Sequence, residues 1–309
     1  MKRFFILLGT LLALGTGLAQ NDTQDYASRF DTAWRLVAER YWDLADLGLD
    51  WNEVRTEFEP QALAATDDAA FYGVLEAMYN RIGDSHSVFV PPQKVEKIRA
   101  QYGDLPCLGV FAQSQSNPDR LGNIEFELVD GQVGYIRLPD LASDNVARNV
   151  RQAVKTLVRD GAQSFVLDLR GNPGGRLIEM MQTAGVFTDG FLWRTVTKWA
   201  LPLPYPALGA TETKLPLAVL IDGGVNSAAE GLAGALQGKG RATVVGETSA
   251  GNVEAVLPFC LRDGSQAWIA AGVLAPIGGP TWEGRGVVPD IATSSEGALD
   301  AAVRYLEKR

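Results

Sequence analysis

SFVLDLRGNPGGRLIEMMQTAGVF, residues 164–187, and LPLAVLIDGGVNSAAEGLAGALQ, residues 215–237, decide the fold. Each begins as an apolar run of strand length, breaks at a Gly-rich turn and continues with apolar residues at helical spacing. A helix-patterned stretch from about Asn145 to Arg159 precedes the first, and ATVVGE (242–247) follows the second as a strand. Strands alternating with helices predict an α/β core on a mostly parallel sheet with helices packed against it. Two more strand-like runs, EAVLPFCL (254–261) and QAWIAAGVL (266–274), come next, and a helix closes the chain.

Upstream of these, CLGVFAQ (107–113), NIEFELV (123–129) and VGYIRL (133–138) read as strands, with Asp130-Gly131 as a hairpin signal between the last two. Residues 28–81 read as helical. Phe30, Trp34, Val37 and Tyr41 share one face of a first helix, WNEVRTEFEPQALAA (51–65) is a second, and Asp67 or Asp68 caps a third that ends at Gly83. Pro91-Pro92 and a charged run mark the join at 84–105. The expected division is therefore a helical domain over 20–85 and an α/β core over 86–309.

The first residues, MKRFFILLGTLLALGTGLAQ, have the layout of a secretory signal peptide: Lys2 and Arg3, an apolar run to about Leu14, and small residues Gly17 and Ala19 before a cut after residue 19. The apolar run falls short of the roughly 20 residues a permanent membrane helix needs, so the reading is an exported chain, periplasmic or extracellular, without an integral membrane segment. Loss of Lys2 and Arg3 takes the formal charge from −9 to −11. That balance argues against nucleic acid and anionic lipid surfaces as partners. Export permits a disulfide between Cys107 and Cys260, and two buried thiols are the other reading. One Cys pair and one His do not make up a zinc site.

Four places carry chemistry. Ser227 follows a buried strand and a glycine turn and begins a helix, where backbone amides and the helix dipole favour a developing negative charge; as an isolated feature it reads first as an N-cap. His86, in RIGDSHSVFV, is the single histidine of 309 residues, and a serine nucleophile needs a base near neutral pH. The Gly171–Gly175 turn after VLDLR offers backbone amides to an oxyanion; it has neither the GxGxxG spacing nor the lysine of a phosphate cradle. Glu283, in GGPTWEGRGVVPDI, is a carboxylate able to orient a histidine, with Asp84 and Glu247 as rivals; taken alone it reads first as a solvated loop residue.

Taken in order, Asp84-Ser85-His86-Ser87, VGYIRLPDL, VLDLRGNPGG, SAAE with its helix, RATVVGETSAG and GRGVVPD resemble the C-terminal processing (tail-specific) and tricorn-core serine peptidases. The resemblance spans about Phe30 to Ile291. It implies a crotonase-like core of repeated β-β-α units under a helical cap. The tail-specific branch uses a Ser-Lys dyad, and here Asn252 stands at the lysine's place; Lys239 lies elsewhere in the motif. The tricorn-core branch is the better match. It implies a tetrad of Ser85, His86, Ser227 and Glu283, with an oxyanion hole from the amides of Ala228 and of Gly174 or Gly175. Roughly 45 residues separate His86 from Val133, about half of what the PDZ domain usual at that place needs, so no PDZ domain is expected there. The implied function is hydrolysis of a peptide or unfolded protein substrate with no cofactor and no metal. An esterase would use the same groups. A non-catalytic binder of apolar ligands, similar to the retinoid-binding repeats that share the fold, would instead use WALPLPYPALG (199–209), with Trp199, Leu203 and Tyr205.

Overall fold

The computed structural model describes residues 25–309 apart from 46, 85, 103–123, 144 and 199. The signal-peptide reading, Ser85, Cys107, the strand expected at 107–113 and Trp199 lie outside the described residues. Among those described, no helix is long and apolar enough to cross a membrane.

Three helices come first: α1 (Tyr26–Arg40), α2 (Trp51–Leu63) and α3 (Asp68–Asn80). Each begins at an aspartate, Asp25, Asp50 and Asp67, whose carboxylate accepts an amide of the first turn. Such a cap satisfies one of the orphan donors every helix start leaves. Trp34 and Trp51 tie α1 to α2 by exchanging indole-to-carbonyl hydrogen bonds, both 2.9 Å. The buried Tyr79 hydroxyl donates to the Ala33 carbonyl at 2.8 Å, tying α3 to α1.

The elements that follow are β1 (Val88–Val90), α4 (Pro92–Tyr102), β2 (Glu125–Val129), β3 (Val133–Arg137), α5 (Val146–Arg159), β4 (Ser164–Asp168), α6 (Leu177–Phe187), β5 (Phe191–Val196), β6 (Leu203–Pro206), β7 (Leu217–Ile221), α7 (Ala228–Gly238), β8 (Thr243–Gly246), β9 (Glu254–Cys260), β10 (Gln266–Pro276), β11 (Ile291–Ala292) and α8 (Ala298–Leu306). One sheet has the order β11-β8-β7-β4-β3-β2 and is parallel except at the β2–β3 hairpin. The hairpin turns through Asp130 and Gly131, both at positive φ (49° and 70°), as the dipeptide predicts.

The central strands β4 and β7 are buried on both faces, and their period of two divides them between two cores. Phe165, Leu167, Val219 and Ile221 pack with residues of α5, α6 and α7, whereas Val166, Ala218 and Leu220 pack with Ala298, Ala302 and Val303 of α8. This face-by-face covering explains why both strands read as unbroken apolar runs.

The expectation of a mostly parallel sheet holds for that sheet alone. A second sheet, β1-β10-β5-β6 with β9 also on β10, is antiparallel throughout. Its spine is the β9–β10 hairpin, in which Cys260 faces Gln266 across a short turn. Short connections of this kind can only make antiparallel pairs. The helices α1–α3 lie on this sheet: Phe30, Val37, Phe71 and Met78 share a core with Ala267, Ile269 and Ala270 of β10. The architecture is a mixed α/β fold with one parallel-dominated and one antiparallel sheet. Cys260, at the end of β9, is disulfide-bonded.

Candidate active site

Ser227 stands where β7 gives way to α7. The turn after β7 is held by Asp222, whose Oδ1 accepts from Gly171 and Gly224 at 2.9 Å each. Ser227 itself has φ 53° and ψ −121°. An N-cap residue sits in the extended region; a side chain at positive φ costs on the order of 1–3 kcal/mol and persists only where its surroundings impose it. Here they do. The Ser227 amide donates to the Asn252 carbonyl and to Glu230 Oε2, both at 3.0 Å. Glu230, fully buried, also accepts from Ser249 Oγ and Gly251 N at 2.6 Å and from Asn252 N at 2.9 Å. One carboxylate thus clamps the start of α7 to the 249–252 loop. Asn252 joins this clamp with both its carbonyl, on the Ser227 amide, and its own amide, on Glu230.

The Gly171–Gly175 turn lies against Ser227. A Cβ on Gly174 would meet Asn226 O at 2.7 Å and Ala228 N at 2.9 Å, so only glycine allows this approach. The buried Asn172 shapes the turn: its Nδ2 donates to Leu138 O and its Oδ1 accepts the Gly174 amide, each at 2.8 Å. The Gly174 N–H is therefore occupied. The amides of Gly175 and Ala228 have no acceptor among the described residues. The Ala228 amide is one of the donors a helix start leaves open.

His86 arrives from the other side of the molecule. Past α3, Gly83 turns the chain at φ 82°. Asp84 Oδ1 then accepts from His86 N at 2.9 Å and Ser87 N at 2.5 Å. Ser87, buried, accepts the Ala270 amide at 3.0 Å and leads into β1. The histidine is thereby fixed between α3 and the antiparallel sheet. Its Nδ1 lies 2.8 Å from Glu254 Oε2. Burial lowers the affinity of the ring for a proton, but the Glu254 hydrogen bond and the charges of Glu254, Asp84 and Glu283 outweigh it, and the pKa is raised above the ordinary value.

Glu283 stands beside this pair. Its Oε2 accepts the Val253 amide at 2.7 Å, and it reaches His86 by charge rather than by a hydrogen bond. Burial pushes its carboxyl up to about 7; the Val253 amide opposes this, and the neighbouring Glu254 and Glu230 add to it. Of the two rival orienters, Asp84 holds the main chain of His86 and adds its charge beside the ring, and Glu247 accepts the Ser295 amide at 3.0 Å. Ser227 and His86 are not hydrogen-bonded to each other. They are linked through residues 252–254, since the Asn252 carbonyl holds Ser227 and the Glu254 carboxylate holds His86. Asn252, Glu254, Glu283 and Asp84 line one cleft of about 410 Å³, closed by Tyr41, Trp42, Leu47 and Ile82. Long or open contacts between nucleophile and base are common before substrate binds.

Sequence reasoning missed Glu254, Glu230 and Asn172. Glu254 opens a strand that reads as ordinary, Glu230 looks like the acidic residue of any first helical turn, and Asn172 like any turn asparagine. Within the segment considered for an apolar ligand, Leu203–Pro206 form β6, and Tyr205 stacks on the buried Trp193 at 6.2 Å between ring centroids. Leu201 and Leu203 of the same segment are exposed.

The family model of peptidase family S41 matches residues 132–293, and that of the tricorn protease C1 domain matches residues 22–80. A carboxyl-terminal-processing protease of Picosynechococcus sp. is 38% identical over 135 residues, 43% of this chain and 32% of that protein. A chloroplastic carboxyl-terminal-processing peptidase 1 of Arabidopsis thaliana is 30% identical over 207 residues, 65% of this chain and 42% of the relative. The chain thus spans about a third of the length of the first of these relatives. Among solved structures, a photosystem II D1 C-terminal processing protease superposes with a TM-score of 0.70 at 19% identity, covering 91% of this chain and 97% of that one.

Proposed function

We propose, because this chain belongs to peptidase family S41, that it is an exported serine peptidase acting on peptide or unfolded protein substrates through an acyl-enzyme. The observation that carries this reading is Ser227, held at φ 53° beside two unengaged amides, Gly175 and Ala228. Ser227 also heads α7 in a capping box with Glu230, but a cap needs no positive φ, whereas a nucleophile that must stand clear of its own helix does.

In this mechanism Ser227 Oγ attacks the scissile carbonyl while His86 Nε2 takes its proton. The amides of Gly175 and Ala228 receive the oxyanion, since the Gly174 amide is already committed to Asn172. The protonated His86 then delivers its proton to the leaving amine, and water, activated by the same nitrogen, releases the acyl group. Glu283, with Ser85, completes the tetrad that the family resemblance implies, and its negative charge favours the imidazolium. No step calls on a metal or cofactor. The leader sequence supports export to a periplasm or beyond, and intact mass of the mature protein, with a start near Gln20, tests it.

Labelling with a fluorophosphonate tests the chemistry. Wild type takes up one label per chain, Ser227→Ala none, and His86→Ala reacts at least ~100-fold more slowly. A folded wild-type protein that stays unlabelled overturns the reading, as does a His86→Ala variant that labels at the wild-type rate.

A further inference from the structure

Glu254 is the first residue of β9, paired with Val273 of β10, and its carboxylate is buried at 7% exposure. A buried carboxylate is costly unless a partner compensates it. The partner is His86, whose Nδ1 lies 2.8 Å from Glu254 Oε2. In a neutral imidazole bonded in this way Nδ1 carries the proton and Nε2 keeps its lone pair. Nε2 is then the only ring nitrogen able to accept a proton from a serine.

The placement of Glu254 is coupled to that of the nucleophile. Two residues earlier, the Asn252 carbonyl accepts the Ser227 amide at 3.0 Å. Between them, the Val253 amide occupies Glu283 Oε2 at 2.7 Å. Three consecutive residues therefore set the nucleophile's main chain, engage the second carboxylate and hold the base.

We propose that Glu254 is the positioning residue that sets the tautomer and orientation of His86, and that the segment Asn252–Val253–Glu254 aligns base and nucleophile as one unit. This rests on the reading of His86 as general base. Glu283 acts on the same pair through its charge, and Asp84 through the main chain of residues 86 and 87.

The chain has one histidine, so the ring nitrogens of a ¹⁵N-histidine sample give a single pair of signals. In wild type, above the titration of the ring, the Nδ1 signal is protonated and Nε2 bare. Glu254→Gln, which keeps the side-chain shape, lowers the titration midpoint of His86 by about one pH unit or more and slows fluorophosphonate labelling by ~10²–10⁴-fold. Glu254→Asp recovers part of the midpoint shift. Glu283→Gln leaves the Nδ1–H tautomer in place.

A wild-type ring protonated on Nε2 overturns the proposal, and that measurement needs no variant to fold. So does a Glu254→Gln protein with an unchanged midpoint and a labelling rate within about twofold of wild type, or loss of the tautomer in Glu283→Gln alone. The two readings fail separately. An Nδ1–H tautomer that depends on Glu254, in a protein that never labels at Ser227, refutes the hydrolase and supports the positioning role; full labelling of Glu254→Gln does the reverse.

Discussion

Glu283 keeps its proton to about pH 7, where an ordinary glutamate has lost it by about pH 5. The folded state therefore binds more protons than the unfolded chain between those limits, and stability contributed by this residue is full below the unfolded pKa and lost as pH rises through about 7. His86, whose pKa is also raised, behaves alike: its contribution is complete below the free-imidazole value and disappears as pH climbs through the folded one. The form suited to catalysis, with His86 neutral and Glu283 ionised, is thus the less stable form of the site. Calorimetric melts check this. Glu283→Gln melts higher than wild type at about pH 8, and the difference closes at about pH 4, where Glu283 is protonated in both states. The labelling rate of wild type falls as pH drops through a midpoint above that of free imidazole. At this scale Ser227 and His86 were legible as candidates, because a lone histidine and a strand–glycine–serine–helix junction are local signals. Glu254 was invisible, because its carboxylate reaches His86 only once β9 has paired with β10 and β10 with β1, a contact 168 residues apart in the chain.

Among the elements, turns carry the tightest constraints. Gly175 has φ 146°, and a Cβ there would lie 2.2 Å from Leu141 C and Ala142 N, two main-chain atoms that cannot yield. Gly175→Ala is expected to destabilise the protein by at least ~2 kcal/mol and, because it moves the free amide, to slow labelling further than its stability loss explains. Gly73 is the opposite case. It is exposed in the middle of α3, and a methyl group there would have nothing within 4 Å, so Gly73→Ala should stabilise by about 0.5–1 kcal/mol. Denaturant melts of both variants decide these signs. The central strands β4 and β7 of the parallel sheet were legible because each is an unbroken apolar run that leads into a glycine turn, whereas the two-residue β11 was not. β1, β5, β6 and α4 were not. β1 has three residues, β5 mixes Arg194 and Thr195 into its sequence, β6 contains two prolines, and α4 opens on a proline inside a charged stretch. Pairing with β10, a long-range event, makes strands of the first two.

In the molecule as a whole, the helical layer and the antiparallel sheet are joined by Arg29. It bonds Asp263 in the β9–β10 turn (Nε to Oδ2, 3.0 Å) and Asp68 at the start of α3 (2.8 Å). Its guanidinium also lies over Phe71 (4.6 Å), Tyr72 (5.1 Å) and Tyr26 (5.5 Å). Burial pushes the Asp263 carboxyl up, yet its hydrogen bonds to Ser265 and the charge of Arg29 bring it below the usual range. Arg29→Ala should cost about 1–3 kcal/mol, a melting shift of roughly 2–4 °C per kcal/mol for a chain of this size, and should lower the labelling rate because α3 leads directly to His86. The sequence announced a helical segment and an α/β segment, but not that the first would bury Phe30, Val37 and Met78 against β10. Tertiary partners of a helix face are not encoded in its period; they follow from which sheet presents a matching apolar face.

The carriers of the site's parts are spread along the chain in a telling way. His86 is supported by α3 and β1, Ser227 by β7 and α7, and the two carboxylates come only at 254 and 283. On the proposed reading, a polypeptide leaving the ribosome has the candidate base His86 exposed some 140 residues before Ser227, and both before the 252–254 segment. On that reading, no nascent chain shorter than about residue 283 carries the full set. The order of the chain alone, on the reading proposed above, keeps the set incomplete until β9 and the loop that carries Glu283 have been made.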